Sequence, residues 1–90
     1  MLLEEEKNVI DINYQMKNNG NNALMYAAIN NRINIVRILL QQDYINIHLT
    51  NIDGMKPLQL AVRRHRKRGK CIDIILLLAL HRSNKRLRIR

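Results

Sequence analysis

Few groups in this chain could do chemistry. Ser83 is the only serine, Thr50 the only threonine and Cys71 the only cysteine. Nucleophilic catalysis needs such a group held beside a base. The sequence offers Cys71 no obvious histidine partner, and a free cysteine is most often a small buried residue. His48, His65, His81 and Cys71 show no ligand spacing of the C-x-x-C or H-x-x-x-H kind, so no metal is expected. Gly20, Gly54 and Gly69 stand too far apart to form a phosphate-cradling loop. Glu4-Glu5-Glu6 reads as a solvated acidic run rather than an acid–base pair. The expectation is a non-enzymatic chain with no cofactor and no small-molecule substrate.

The strongest charged signal is the cluster Arg63, Arg64, Arg66, Lys67, Arg68 and Lys70. Residues 1–62 carry five lysines and arginines against six acidic residues, whereas residues 63–90 carry eleven against one. Charge so unevenly placed favours an acidic partner, nucleic acid or an anionic surface. Three readings of the cluster stand open. It is a solvated helix end, a nuclear import signal, or a grip on phosphates whose binding would fall steeply with salt. No aromatic residue lies among these cations, which argues against stacking on single-stranded bases. The end of the chain, Lys85-Arg86-Leu87-Arg88-Ile89-Arg90, alternates charged and apolar residues and suits a membrane surface or a sheet edge.

The elements that position these groups are organised around Asn21 to Leu40. Apolar residues recur there at helical spacing: Leu24, Ala27 and Ala28, then Ile35, Val36, Leu39 and Leu40. Two short antiparallel helices, Ala23–Asn30 and Asn34–Gln41, are expected, with a tight turn at Asn30-Asn31-Arg32. Asn21 or Asn22 can cap the first of them. The pattern repeats: Leu24 and Ala27 follow Gly20 as Leu58 and Ala61 follow Gly54, a step of 34 residues. A period of that length implies stacked helix pairs, none of which buries its apolar face alone.

Further helices are expected from Pro57 to about Lys67 and from Ile72 to His81. Pro57 suits a first helical position, because its missing N–H would be unpaired there anyway. The connectors, Asn8–Asn22 and Asp43–Lys56, alternate apolar residues and end in Asn- and Gly-rich turns. Met1 to Lys7 reads as the end of a helix whose partner is missing. Ninety residues allow one domain with a thin core, and with no Trp or Phe that core must be aliphatic. The abundance of Asn and Ile reads as the mark of an A/T-rich genome. A single cysteine fits a reducing, intracellular compartment. Ile74 to Leu80, the longest apolar run, is far too short to cross a bilayer.

These residues resemble the ankyrin repeat family. Its pattern is roughly D-x-x-G-x-T-P-L-H-x-A-A followed by a helix ending in V-x-x-L-L. Lys17 to Ala28 and Ile35 to Leu40 give one unit, and Asn51 to Val62 and Ile74 to Leu78 give another. The family's Thr and His are replaced by Asn22 and Met25, then by Lys56 and Gln59. The glycine between the helices is Asn31 in the first unit. The second unit holds five more residues between its helices, so a longer first helix or an enlarged basic turn is expected. Its last helix is apolar nearly all round, as in an unfinished stack.

The resemblance implies an all-α, helix-turn-helix repeat stack with short hairpin-like connectors. Residues 1–16 would be a partial N-terminal repeat, 17–50 the first repeat, 51–81 a second repeat with a basic inter-helix insertion, and 82–90 a basic tail. It implies a protein partner, a host-cell protein among the kinds allowed. The contacts would lie at the connector tips and on the inner helices: Asn18, Asn19, Asn21, Ile29 and Asn30 in the first unit, and Ile52, Asp53, Met55, Arg63 and Arg64 in the second. The alternative is a nucleic-acid-binding or nuclear-targeted fragment acting through residues 63–70 and the tail.

Overall fold

A computed structural model describes residues 11–81. The expected helix at Met1–Lys7, the acidic run Glu4–Glu6, Ser83 and the basic tail 82–90 lie outside the described residues. Within them the chain forms four helices: α1 Ala23–Ile29, α2 Ile33–Leu40, α3 Pro57–Arg68 and α4 Ile72–Leu80. The helices pair as α1 with α2 and α3 with α4, and the pairs stack, α1 on α3 and α2 on α4.

The start of each helix is set by its local chemistry. Asn22 is extended and its side-chain oxygen accepts the N–H of Met25 at 3.0 Å, which supplies one of the hydrogen bonds a helix start lacks. In this unit asparagine takes over the capping role of the family's threonine. At α3 the equivalent residue is Lys56, whose ammonium accepts nothing. Gln59 compensates from the other side, its Oε1 accepting the Lys56 N–H at 2.7 Å, half of a capping box. Between α1 and α2 the chain turns through Asn31 at φ +57°, the left-handed conformation expected of it.

The five extra residues of the second unit are helix. α3 has 12 residues and α1 has 7. The turn that follows uses two left-handed residues, Gly69 at φ +74° and Lys70 at φ +68°.

The core is one aliphatic cluster between the layers: Leu24, Ala27, Ala28, Val36, Ala61, Ile74 and Leu78. Leu24 and Leu58 each follow the first residue of their helix. Leu24 is fully buried, and Leu58 packs half-buried against the same cluster. Full burial of a residue such as Leu24 stabilises the fold by about 1.5–3 kcal/mol. The alternation of Ile45, Ile47 and Leu49 makes no strand. Ile45 and Ile47 instead pack from beneath the connector against the core. Nor is Ile35 part of the core: it is about half exposed.

Candidate partner-binding surface

Each connector closes on a hairpin-like tip. In the first, the Met16 N–H donates to the Asn21 carbonyl at 2.8 Å; in the second, the Asn51 N–H donates to the Met55 carbonyl at 3.1 Å. Gly20 and Gly54 hold equivalent left-handed conformations at φ +77° and +76°. The tips touch: the Ile52 N–H donates to the Asn19 carbonyl at 3.0 Å. A Cβ on Gly20 would lie 2.9 Å from the Ile52 nitrogen and 3.0 Å from Asn51 Cα, whereas one on Gly54 would meet nothing within 4 Å.

Side-chain amides join one connector to the next. Asn13 donates through Nδ2 to the Tyr44 carbonyl at 2.8 Å and accepts the Asn46 N–H at 2.9 Å. Gln15 Nε2 donates to the carbonyls of Gly20 (2.8 Å) and Thr50 (2.7 Å). Asn51 Nδ2 donates to Asn21 Oδ1 at 2.9 Å, while Asn51 Oδ1 accepts the N–H groups of Asp53 and Met55. A carboxamide has two donor hydrogens and an acceptor oxygen, so one side chain can hold two groups at once: Asn13 and Asn51 donate and accept, and Gln15 donates twice.

The sequence-predicted contact residues fall into two groups. Asn18, Asn30, Ile52, Asp53 and Arg63 are exposed, Ile52 at 69%. Asn19, Ile29, Met55 and Arg64 are half-buried. Asn21 is buried, and its side-chain oxygen is taken by Asn51. Asn19 is engaged three times: Oδ1 accepts the Asn21 N–H, Nδ2 donates to the Tyr26 hydroxyl, and its carbonyl meets Ile52.

Arg64 leaves the basic cluster altogether. A terminal guanidinium nitrogen donates to the Ile29 carbonyl at the end of α1, and its Nε is buried with no partner. A cation at that helix end meets the negative pole of the backbone dipoles. Nothing in the sequence separates Arg64 from its neighbours except position: it sits on the side of α3 that turns back toward α1.

The rest of the cluster is outward. Arg63, Arg66, Lys67, Arg68 and Lys70 are exposed. Arg63, Arg66 and Lys67 share one helix face by their three- and four-residue spacing. Arg63 reaches Met55, its terminal nitrogen 4.0 Å from the sulfur. Arg63 thus meets Met55 at the second tip, which also carries exposed Ile52. No carboxylate among the described residues pairs with any of these cations.

Cys71 is fully buried, and it is its backbone N–H, not its thiol, that meets a histidine, donating to His65 Nδ1 at 3.2 Å. That bond closes the turn from α3 to α4. Among the described residues no three His, Cys, Asp or Glu side chains gather as metal ligands would, and no helix is long and apolar enough to cross a membrane.

The described residues thus form two helix pairs in register with two touching tips. A search of curated proteins finds no match. The family model described as ankyrin repeats, three copies, matches residues 1–88. Matched over nearly its whole length, this chain belongs to the ankyrin repeat family, whose members are in general protein–protein interaction modules and typically not enzymes.

Proposed function

We propose that this chain holds an acidic protein segment against the second connector tip and the outward face of α3. The observation that carries the reading is the contact of Arg63 with Met55 beside exposed Ile52, with Arg66 and Lys67 on the same face of α3 as Arg63, cations exposed and without a carboxylate partner among the described residues. An apolar contact rimmed by charge gives affinity at its centre, and orientation and on-rate at its edge. Asn18, Asn19 and Asn30 extend the surface toward the first unit. Asn21 and Arg64 support it from behind, each already engaged within the fold.

The test is binding to an acidic peptide with leucines among its glutamates, measured against salt. The triple variant Arg63→Ala, Arg66→Ala, Lys67→Ala should weaken binding at least tenfold, and Ile52→Asp should abolish it. Binding that ignores both changes sinks the proposal. A preference for duplex DNA that collapses steeply with salt would assign the cluster to phosphates instead.

A further inference from the structure

Each tip carries a dipeptide able to rearrange by itself. Asn19-Gly20 and Asp53-Gly54 stand at equivalent places in successive units, each with its glycine left-handed. In such a pair the glycine nitrogen can attack Cγ of the preceding side chain and close a succinimide ring. Glycine suits the reaction, because no Cβ hinders the approach and its backbone turns freely. The same chemistry meets different surroundings at the two tips.

At the first tip the reacting groups are held. Asn19 Oδ1 accepts the Asn21 N–H at 2.8 Å and Nδ2 donates to the Tyr26 hydroxyl at 3.0 Å, so the carboxamide is fixed at both ends. The Asn19 carbonyl accepts the Ile52 N–H, and the Gly20 N–H donates to the Met16 carbonyl at 2.7 Å. The backbone of Asn51 and Ile52 closes over Gly20. At the second tip the Gly54 N–H is bonded too, to the Asn51 carbonyl at 2.9 Å. Asp53, however, is exposed, and nothing lies over Gly54. Among the described residues no hydrogen bond or ion pair holds the Asp53 carboxyl, only its backbone N–H being engaged.

We propose that Asp53-Gly54 is a site of spontaneous backbone isomerisation in the folded chain, and that contact between the tips protects Asn19-Gly20 from the matching reaction. The Gly54 nitrogen bonds to Cγ of the protonated Asp53 carboxyl, whose hydroxyl leaves with the amide proton as water. Water then opens the ring. Addition at Cγ breaks the new bond and restores aspartate. Addition at the main-chain carbonyl carbon breaks the original peptide bond and leaves isoaspartate, its chain running through Cβ and Cγ. One water is lost and one regained, so solvent is the sole co-reactant. At Asn19 the same attack would expel ammonia. Isoaspartate adds one carbon to the main chain inside a loop closed by Asn51 N–H on the Met55 carbonyl (3.1 Å) and Met55 N–H on Asn51 Oδ1 (3.0 Å). Both bonds span the altered link, so Met55 must shift and the surface beside Arg63 changes shape. The chemistry does not depend on the acidic-peptide reading.

The test compares both sites in one chain. Full-length protein is held at neutral pH and digested at intervals. A protease that cuts before aspartate but not isoaspartate reads position 53, and the added mass of deamidation reads Asn19. A second chain, Asp53→Asn, places the same dipeptide in both tips, so any difference in rate is structural. Parallel samples in urea give the unfolded rates, with helical circular dichroism as the check on folding. In urea the two sites of the Asp53→Asn chain should react alike. Three hydrogen bonds hold Asn19 that have no counterpart at Asp53, each worth a factor of about two to twelve, so in the folded chain position 53 should react at least about eightfold faster. Tyr26→Phe removes one of the three and should speed Asn19 about two- to twelvefold while leaving position 53 unchanged. Equal rates at the two sites of folded Asp53→Asn overturn the proposal. So does an unaltered folded chain whose Asp53 stays intact while it converts in urea, since the second tip would then be braced as well. If Asp53→Asn loses its helical signal, Tyr26→Phe decides, and an unchanged Asn19 rate there overturns the protection.

Discussion

Gly20 and Gly54 make a matched pair for testing how the tips are held. Both have φ near +77°, so alanine at either site takes on the left-handed penalty of about 1–2 kcal/mol. They differ in surroundings. At Gly54 the new methyl enters open space, and the cost should stop there. At Gly20 it would sit 2.9 Å from the Ile52 nitrogen and 3.0 Å from Asn51 Cα, both backbone atoms that cannot rotate away. The second tip must shift. The bond from Ile52 to Asn19 is then lost, worth about 0.5–1.5 kcal/mol, and overpacking adds about 1–3 kcal/mol. Gly20→Ala should thus cost about 3–6 kcal/mol, against about 5–13 kcal/mol available to a domain of this length.

Urea unfolding followed by helical circular dichroism gives both values. The corresponding falls in midpoint temperature are about 4–8 °C per kcal/mol. Gly54→Ala should remain folded and bind its partner nearly as before, and Gly20→Ala should approach global unfolding. Equal losses at the two glycines would refute the reasoning, because only the approach of the second tip distinguishes them.

Other substitutions separate support from contact. Asn22→Ala removes the α1 cap and should cost about 1–2 kcal/mol by denaturant titration. Lys56→Asp supplies the acceptor that α3 lacks and replaces a cation at the positive helix end, so it should raise stability by about 0.5–1 kcal/mol in the same assay. Arg64→Ala should cost about 1–3 kcal/mol of stability, whereas Arg63→Ala should change stability by less than about 0.5 kcal/mol and act on partner binding instead. A thermal melt beside a peptide titration distinguishes the two arginines.

The helices were legible because each unit repeats the same offsets. Gly20 to Leu24 and Gly54 to Leu58 locate the tips and helix starts without any knowledge of packing. The extra residues in the second unit were visible as a count, but helix and turn were equally open. They became helix because the stretch from Arg63 to Arg68 contains no Gly or Pro, and Gly69 ends it. The connector stitching was hidden for a different reason. Asn13, Gln15 and Asn51 bind groups 30 to 35 residues away, and a hydrogen-bonding amide has no sequence period of its own. Arg64 was hidden likewise: five neighbours of the same charge masked the one that turns inward.

The basic extension of α3 adds little to stability, which bears on why it is there. Arg63 with Arg66 and Lys67, and Arg64 with Arg68, are like charges at helical neighbour spacing, each unfavourable by about 0.2–0.5 kcal/mol. Cations in the last turn gain about 0.3–1 kcal/mol from the helix dipole, a gain that salt screens. These terms nearly cancel. The inward ties, Arg64 to Ile29 and His65 to the Cys71 N–H, need only two of the residues in that stretch. Among the described residues, Arg63, Arg66, Lys67 and Arg68 then have no fold-holding task that glutamine would not perform as well. Replacing the four together by glutamine should leave the unfolding midpoint nearly unchanged and remove binding of an acidic partner. A large loss of stability would return the cluster to the fold and take the proposed function with it.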